Sequence, residues 1–275
     1  MGILGLRKTE RFATMPPNQP GPSREMLFFP GVEELNQEAA RRLVELAKVS
    51  IAAQGHFSLA LSGGSTPEKL YNLLANAPYK DQFDWSKVLI FFGDERCVPP
   101  NHPDSNYRMA SQALLSKVPL PSENIHRMHG EDPPEEAAAA YAQELEKAFG
   151  LEHGDGPSPE NFPSFDLILL GMGPDGHTAS LFPGTQALQE RGRPVTVNHV
   201  PRLNSDRITL TAPAINQAGQ VWFLVVGEDK AEPLVRVLEG EFQPQTYPSQ
   251  LVSPQHGKLL WMLDEAAAAK LTKRS

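Results

Sequence analysis

Residues 165–178, FDLILLGMGPDGHT, join an apolar run to a glycine-rich turn that presents a single histidine. A short apolar run with little alternation is typical of a strand that is buried on both faces of a parallel sheet. Similar runs recur along the chain, and the segments between them carry apolar residues near helical spacing. This alternation predicts an α/β fold whose mostly parallel sheet is flanked by helices on both faces.

The same patterns predict the individual elements. The strands are Phe57–Ser62, Val88–Gly93, Phe165–Gly171, Val195–Val200, Arg207–Thr211 and Val221–Gly227, with Leu259–Leu263 as an addition at the sheet edge. The helices are Val32–Gln54, Pro67–Ala77, Ser105–Lys117, Pro134–Phe149 and Lys230–Glu239, and His153–Pro163 is a surface loop. Ligands of such folds bind beyond the carboxyl ends of the strands, so the residues that follow each strand are the first site candidates.

Composition restricts the domain organisation. The chain has 275 residues, of which 40% are hydrophobic, and we expect a single domain over residues 26–275. Residues 1–25 are rich in proline and basic side chains, which predicts a disordered arm. The single cysteine, Cys97, excludes an intrachain disulfide and a multi-thiolate metal site. It favours a reducing compartment, and we expect a cytoplasmic protein.

Charge and hydropathy restrict the partners. Acidic residues outnumber basic ones by 33 to 25, and the net charge of -8 argues against nucleic-acid binding. No apolar run approaches the roughly 18 residues of a membrane span. We therefore expect a small-molecule substrate, and a monomer or a homodimer.

The sequence SGGSTPE, residues 62–68, connects a predicted strand to a predicted helix. Gly63 and Gly64 allow a sharp turn and a close approach of the backbone to a ligand. Ser65 or Thr66 can cap the helix, and free amides at a helix start attract anions. The turn is interpreted as a phosphate site, with an ordinary capped turn as the alternative.

The sequence GDER, residues 93–96, also follows a predicted buried strand. Arg96 can bind an anion, and Asp94 can accept hydrogen bonds from hydroxyl groups or assist a base. The alternative is a solvated loop with a local ion pair.

The glycine-rich turn of residues 171–178 contains the pattern Gly-x-Gly-x-x-Gly but does not fit a dinucleotide site. Asp175 would place a carboxylate at the pyrophosphate, and Pro183 with Gly184 would end the following helix too early. The turn instead presents His177, whose imidazole titrates in the range that a general base requires.

Three further basic residues lie near predicted strand ends. Arg202, Arg207 and Lys230 can supply the positive charge that a phosphate needs in an acidic protein. Each can equally be a surface charge.

Together these motifs resemble those of the 6-phosphogluconolactonase family over Met26 to Ala269. The matching segments are SGGSTP, GDER, DSNYR, GMGPDGHTASLFP and RITLT. The resemblance implies a Rossmann-like fold and the hydrolysis of 6-phospho-D-glucono-1,5-lactone in the pentose phosphate pathway, without a cofactor. It implies His177 as the general base, with Ser65, Thr66, Arg96 and Lys230 among the phosphate-binding candidates.

The expected mechanism is attack of water on the lactone carbonyl, with His177 as base and the amides of the glycine-rich turn as oxyanion donors. Either Asp175 or Asp94 orients the imidazole ring, and the sequence leaves both open. No cluster of His, Cys, Asp and Glu has the spacing of metal ligands, so no metal is expected.

Two other functions stay open. The related glucosamine-6-phosphate deaminases resemble this chain at Asp-Gly-His but continue with Asn-Glu-Pro, where Leu181, Phe182 and Pro183 stand here. Their strand-end motif reads Asp-Glu-Tyr, with tyrosine at the position of Arg96. A non-catalytic sugar-phosphate sensor would require a DNA-binding segment, and the first 25 residues do not fit one.

Overall fold

The structure, a computed structural model, describes residues 24–151, 161–254 and 256–273. The predicted arm lies outside these ranges except for Arg24 and Glu25, which begin the first strand. Most of the predicted surface loop His153–Pro163 also lies outside the described residues.

Within the described residues, six strands form a parallel sheet. They are β1 Arg24–Phe29, β2 Phe57–Leu61, β3 Val88–Phe92, β5 Leu167–Leu170, β8 Gln220–Val225 and β9 Lys258–Asp264. Their order across the sheet is β1-β9-β8-β5-β2-β3. This arrangement confirms the predicted α/β class and its mostly parallel sheet.

The prediction that Leu259–Leu263 lies at the sheet edge is wrong. These residues belong to β9, which pairs with β8 on one side and with β1 on the other, so that Met26 lies opposite Trp261. The strand β1 occupies the edge, where its side chains are exposed or half-buried. Its apolar run is short, and for that reason the pattern of the buried strands did not reveal it.

A second, antiparallel sheet lies beyond β3. It consists of β4 Asp94–Arg96, β6 Val195–Val200 and β7 Ser205–Leu210, in the order β4-β7-β6. Two of the predicted strands therefore exist but belong to this sheet. The connection from β6 to β7 is a short turn, Pro201–Leu203, which suits antiparallel and not parallel pairing.

The helices agree closely with the prediction. They are α1 Val32–Gln54, α2 Ser65–Leu74, α3 Asn106–Ala110, α4 Pro134–Phe149, α5 Ala212–Ile215 and α6 Ala231–Leu238. Both α1 and α4 match end to end, and each stops at a glycine in the left-handed region, Gly55 and Gly150. The described helices include none with the length and apolar content needed to cross a bilayer.

Two apolar cores cover the two faces of the parallel sheet. Successive residues of β8 alternate between them: Trp222 packs in the core with α1, α2 and α3, and Phe223 in the core with α4, α6 and the antiparallel sheet. Because both faces are covered, a ligand can reach the sheet at its carboxyl edge. The ends of β8, β5, β2 and β3 are neighbours there.

Candidate active site

A cavity of about 310 Å³ opens at this carboxyl edge. The predicted site residues that line it are Gly63, Gly64, Ser65, Thr66, Asp94, Arg96, His177 and Lys230. The remaining predictions, Asp175, Arg202 and Arg207, are not among its lining residues. The strand-end turns that were selected separately from the sequence thus converge on one space.

The start of α2 forms one wall of the cavity. Gly64 is the N-cap residue, with a φ of 104° that favours glycine, and no side chain caps the helix. The expectation that Ser65 or Thr66 acts as the cap is therefore wrong, because the turn at Gly64 lets the helix begin at Ser65. The first intrahelical bond runs from the Glu68 amide to the Gly64 carbonyl, at 3.1 Å. The amides of Ser65 and Thr66 precede it, so they are without helical acceptors and can bind an anion.

Two cations line the same cavity. The Lys230 ammonium lies 2.7 Å from an Asp229 carboxylate oxygen, and its side chain is largely buried. The Arg96 guanidinium donates from Nη1 to the Asp104 carbonyl. Each cation keeps further N–H donors beyond these contacts, so both can also bind a phosphate.

Asp94 lies on the wall formed by β4 and is buried. Its carboxylate accepts hydrogen bonds from the Ser180 hydroxyl at 2.6 Å and from the Asn106 amide at 3.3 Å. The Asn106 side chain fits against the backbone of Gly63, where a Cβ would lie 2.0 Å from Asn106 Oδ1. Among the hydrogen bonds of the described residues, none joins Asp94 to His177.

Sequence reasoning overlooked the role of Glu95. Its buried carboxylate accepts the backbone amides of Asn106 and Tyr107, each at 2.8 Å, and the Ser105 hydroxyl at 3.0 Å. Burial raises the pKa of Glu95, and these donors oppose the rise. The contacts fix the start of α3 and thereby hold Asn106 beside Asp94. An acid that follows a strand and precedes a helix start was the available signal.

The glycine-rich turn positions the imidazole of His177. The Gly173 amide donates to the His177 carbonyl at 2.9 Å, which closes the turn. The ring Nδ1 of His177 is hydrogen-bonded to Asp175 Oδ1, and the ring stacks on Phe182 with a centroid separation of 4.1 Å. Because Nδ1 is engaged with a carboxylate, Nε2 is the nitrogen available to a ligand.

Asp175 contacts two cationic partners. Oδ1 accepts from His177, and Arg202 Nη2 forms an ion pair with Oδ2 without the alignment of a hydrogen bond. Burial alone would raise the pKa of Asp175, but the hydrogen bond from His177 and the charges of His177 and Arg202 lower it to about 2. Asp175 is therefore a carboxylate at neutral pH.

Arg207 lies beside the cavity without lining it. It pairs with Arg96 in the register of β4 and β7, and its Nη1 donates to the Ser205 hydroxyl at 2.6 Å. Burial and the nearby charge of Arg96 lower the pKa of Arg207. The side chain adds positive field near Arg96.

Two other chemistries have little support in this site. Burial raises the pKa of the Cys97 thiol to about 11, so the nucleophilic thiolate is scarce at neutral pH. Within the ranges that the structure describes, His, Cys, Asp and Glu side chains form no group of three that could hold a metal ion.

Comparison with known proteins defines the class first. A family model described as glucosamine-6-phosphate isomerases/6-phosphogluconolactonase matches residues 30–261. The chain belongs to this family, which confirms the resemblance seen in its motifs and the Rossmann-like fold.

Individual relatives narrow the comparison to one branch. The chain is 46% identical to the 6-phosphogluconolactonase of Nostoc sp., over 81% of this chain and 88% of the relative. It is 41% identical to the 6-phosphogluconolactonase of Homo sapiens, over 89% and 92%. The solved structure of 6-phosphogluconolactonase from Trypanosoma cruzi has a TM-score of 0.81 at 31% identity, covering 92% of this chain and 99% of that one.

Proposed function

We propose that the chain hydrolyses 6-phospho-D-glucono-1,5-lactone to 6-phospho-D-gluconate, a step of the oxidative pentose phosphate pathway, with His177 as the general base. The observation that carries the mechanism is the pairing of His177 Nδ1 with Asp175, in a cavity that also contains a helix start and two cations. The identity of the relatives supports the substrate.

In this mechanism Nε2 of His177 takes a proton from water while the water oxygen bonds to the lactone carbonyl carbon. The carbonyl oxygen becomes an oxyanion, and Asp175 stabilises the imidazolium. When the carbonyl re-forms, the bond to the ring oxygen breaks, and the imidazolium returns its proton to that oxygen. His177 is neutral again, and the new carboxylic acid ionises in water.

The amides of the glycine-rich turn were expected to stabilise the oxyanion. Those of Gly173 and Gly176 already donate within the turn, to the carbonyls of His177 and Gly173. Arg96 lines the cavity and is the stronger candidate, because its charged donors face the same space.

The deaminase alternative loses support from the surroundings of His177. Phe182 stands where the deaminase motif has glutamate, and its ring stacks on the His177 ring. An apolar ring at this point cannot take part in the proton transfers that deamination needs. The sensor alternative has no comparable observation in its favour.

The proposed activity is tested with freshly prepared 6-phosphogluconolactone, coupled to 6-phosphogluconate dehydrogenase and NADP reduction. We expect hydrolysis well above the spontaneous rate measured under the same conditions. Ammonia release from glucosamine-6-phosphate, assayed in parallel, would instead support the deaminase. A rate equal to the spontaneous one would contradict the proposal.

Phosphate binding gives a prediction of its own. Lys230→Ala and Arg96→Ala are each expected to raise KM by about tenfold, because each removes a charge-assisted contact to the phosphate. Arg96→Ala should also lower kcat if its guanidinium stabilises the oxyanion. Lys69→Ala is the matched control, since Lys69 is an exposed lysine of α2 that pairs with Glu33. Unchanged KM in both site variants would move the phosphate elsewhere.

Location and assembly are further proposals. The single cysteine and the small phosphorylated substrate support a cytoplasmic enzyme. Such a site is complete within one chain, so either a monomer or a homodimer is compatible with the activity. Subcellular fractionation and light scattering test these two points.

A further inference from the structure

Arg202 contacts both residues that hold the His177 ring. The turn Pro201–Leu203 between β6 and β7 brings the guanidinium onto Asp175 Oδ2 and over the Phe182 ring, 5.0 Å from its centroid. Asp175 and Phe182 in turn contact His177, one through Nδ1 and the other by stacking. Arg202 itself does not line the cavity.

We propose that Arg202 is a positioning residue for the general base and not a phosphate ligand. It holds Asp175 with Oδ1 towards His177, and its positive charge limits the stabilisation of the imidazolium so that the base stays neutral. The inference rests on the proposed function, because it gives Arg202 a task in the same reaction.

The two oxygens of Asp175 explain why one arginine has this effect. Oδ1 receives the His177 ring and backbone nitrogens, whereas Oδ2 is buried and has no hydrogen-bond partner, only the ion pair with Arg202. Loss of Arg202 would leave Oδ2 without its neighbour, so the carboxylate could rotate away from His177. The position of Nε2 would then be less well defined.

The charges that face His177 fix the sign of the electrostatic effect. Asp175 lies on its own turn, Arg202 on the β6–β7 connection, Asp94 and Arg96 on β4, and Lys230 precedes α6. Removing the charge of Arg202 makes this environment more negative, which favours the protonated ring. The acid limb of the pH–rate profile should therefore move to higher pH.

The expected result for Arg202→Gln is an acid limb moved upward by about half to one pH unit. We expect kcat at neutral pH to fall by about fivefold, with KM changed less than twofold. Arg202→Lys should return the limb towards its wild-type position, because lysine keeps the charge. It should restore kcat only in part, since an ammonium lacks the planar fork of arginine and its stacking on Phe182.

The experiment measures kcat and KM between pH 5 and pH 9 for the wild type, Arg202→Gln and Arg202→Lys. The matched control is Arg193→Gln, an exposed arginine that pairs with Glu190 away from the cavity. The ring signals of His177, assigned by their absence in His177→Asn, are titrated by NMR in the same proteins. This second readout does not depend on turnover.

An upward shift of both the acid limb and the ring titration in Arg202→Gln, reversed by lysine, supports the proposal. A raised KM with an unmoved limb overturns it and makes Arg202 a phosphate ligand, as its charge first suggested. An unmoved ring titration also overturns it. Wild-type protein without lactonase activity would contradict the proposed function, while the NMR titration would still decide whether Arg202 controls the ring.

Discussion

Replacement of His177 by asparagine is expected to lower kcat by about 10²- to 10⁴-fold while KM stays close to the wild-type value. Asparagine is similar in polarity but cannot accept the proton of the attacking water. The phosphate contacts come from other elements, namely α2, Arg96 and Lys230, so binding and chemistry should separate. The half-buried setting of the ring makes misfolding an unimportant contribution.

The matched control for this variant is His199→Asn. His199 also pairs through Nδ1 with a carboxylate, that of Asp206 at 2.8 Å, but it is exposed on β6 and does not line the cavity. Its replacement should leave kcat unchanged. A well-folded His177→Asn enzyme with near wild-type turnover would remove His177 from the mechanism and leave Asp94 as the next candidate base.

The pH dependence belongs to the same prediction. The wild-type rate should fall at low pH, because a protonated imidazole cannot take a proton from water. Asp175 does not cause this limb, since its pKa of about 2 lies below the range of the assay. The limb should disappear in His177→Asn, after the spontaneous hydrolysis at each pH has been subtracted.

The parts of the site that the sequence predicted share one physical basis. Glycine-rich or polar segments directly after apolar strands end up together because parallel strands share one carboxyl edge. This placed Gly64, Asp94 and His177 in one cavity without any knowledge of the strand order. The same reasoning cannot say which carboxylate faces the histidine, because that depends on the shape of the turn. The structure gives this contact to Asp175.

The parts that the sequence did not predict depend on long-range pairing. Arg202 and Arg207 were grouped as phosphate cations by charge alone, yet β6 and β7 form a separate antiparallel sheet that directs them differently. Arg207 is paired with Arg96 across β4 and β7, and Arg202 reaches Asp175 from the connecting turn. Strand periodicity carries no information about such a register between distant segments.

Gly173→Ala is the second prediction with a large effect. A Cβ at this position would lie 2.1 Å from both Cε1 and Nδ1 of His177 and 2.8 Å from Asp175 Oδ1. The backbone of Gly173 does not have a positive φ, so alanine introduces no conformational strain, and the conflict is with the imidazole ring alone. The ring is the end of a side chain and can swing aside, so the fold should survive while the contact with Asp175 is lost.

We therefore expect Gly173→Ala to lower kcat by about 10²-fold, as for a displaced general base, with little change in KM or in thermal stability. Gly219→Ala is the matched control, because its Cβ would meet Asp166 O at an ordinary 3.6 Å, and its backbone also lacks a positive φ. The two site substitutions should not be additive: adding Gly173→Ala to His177→Asn should cost almost nothing further, because both remove the same base. A full additional loss in the double variant would mean that Gly173 serves the reaction through contacts other than the ring of His177.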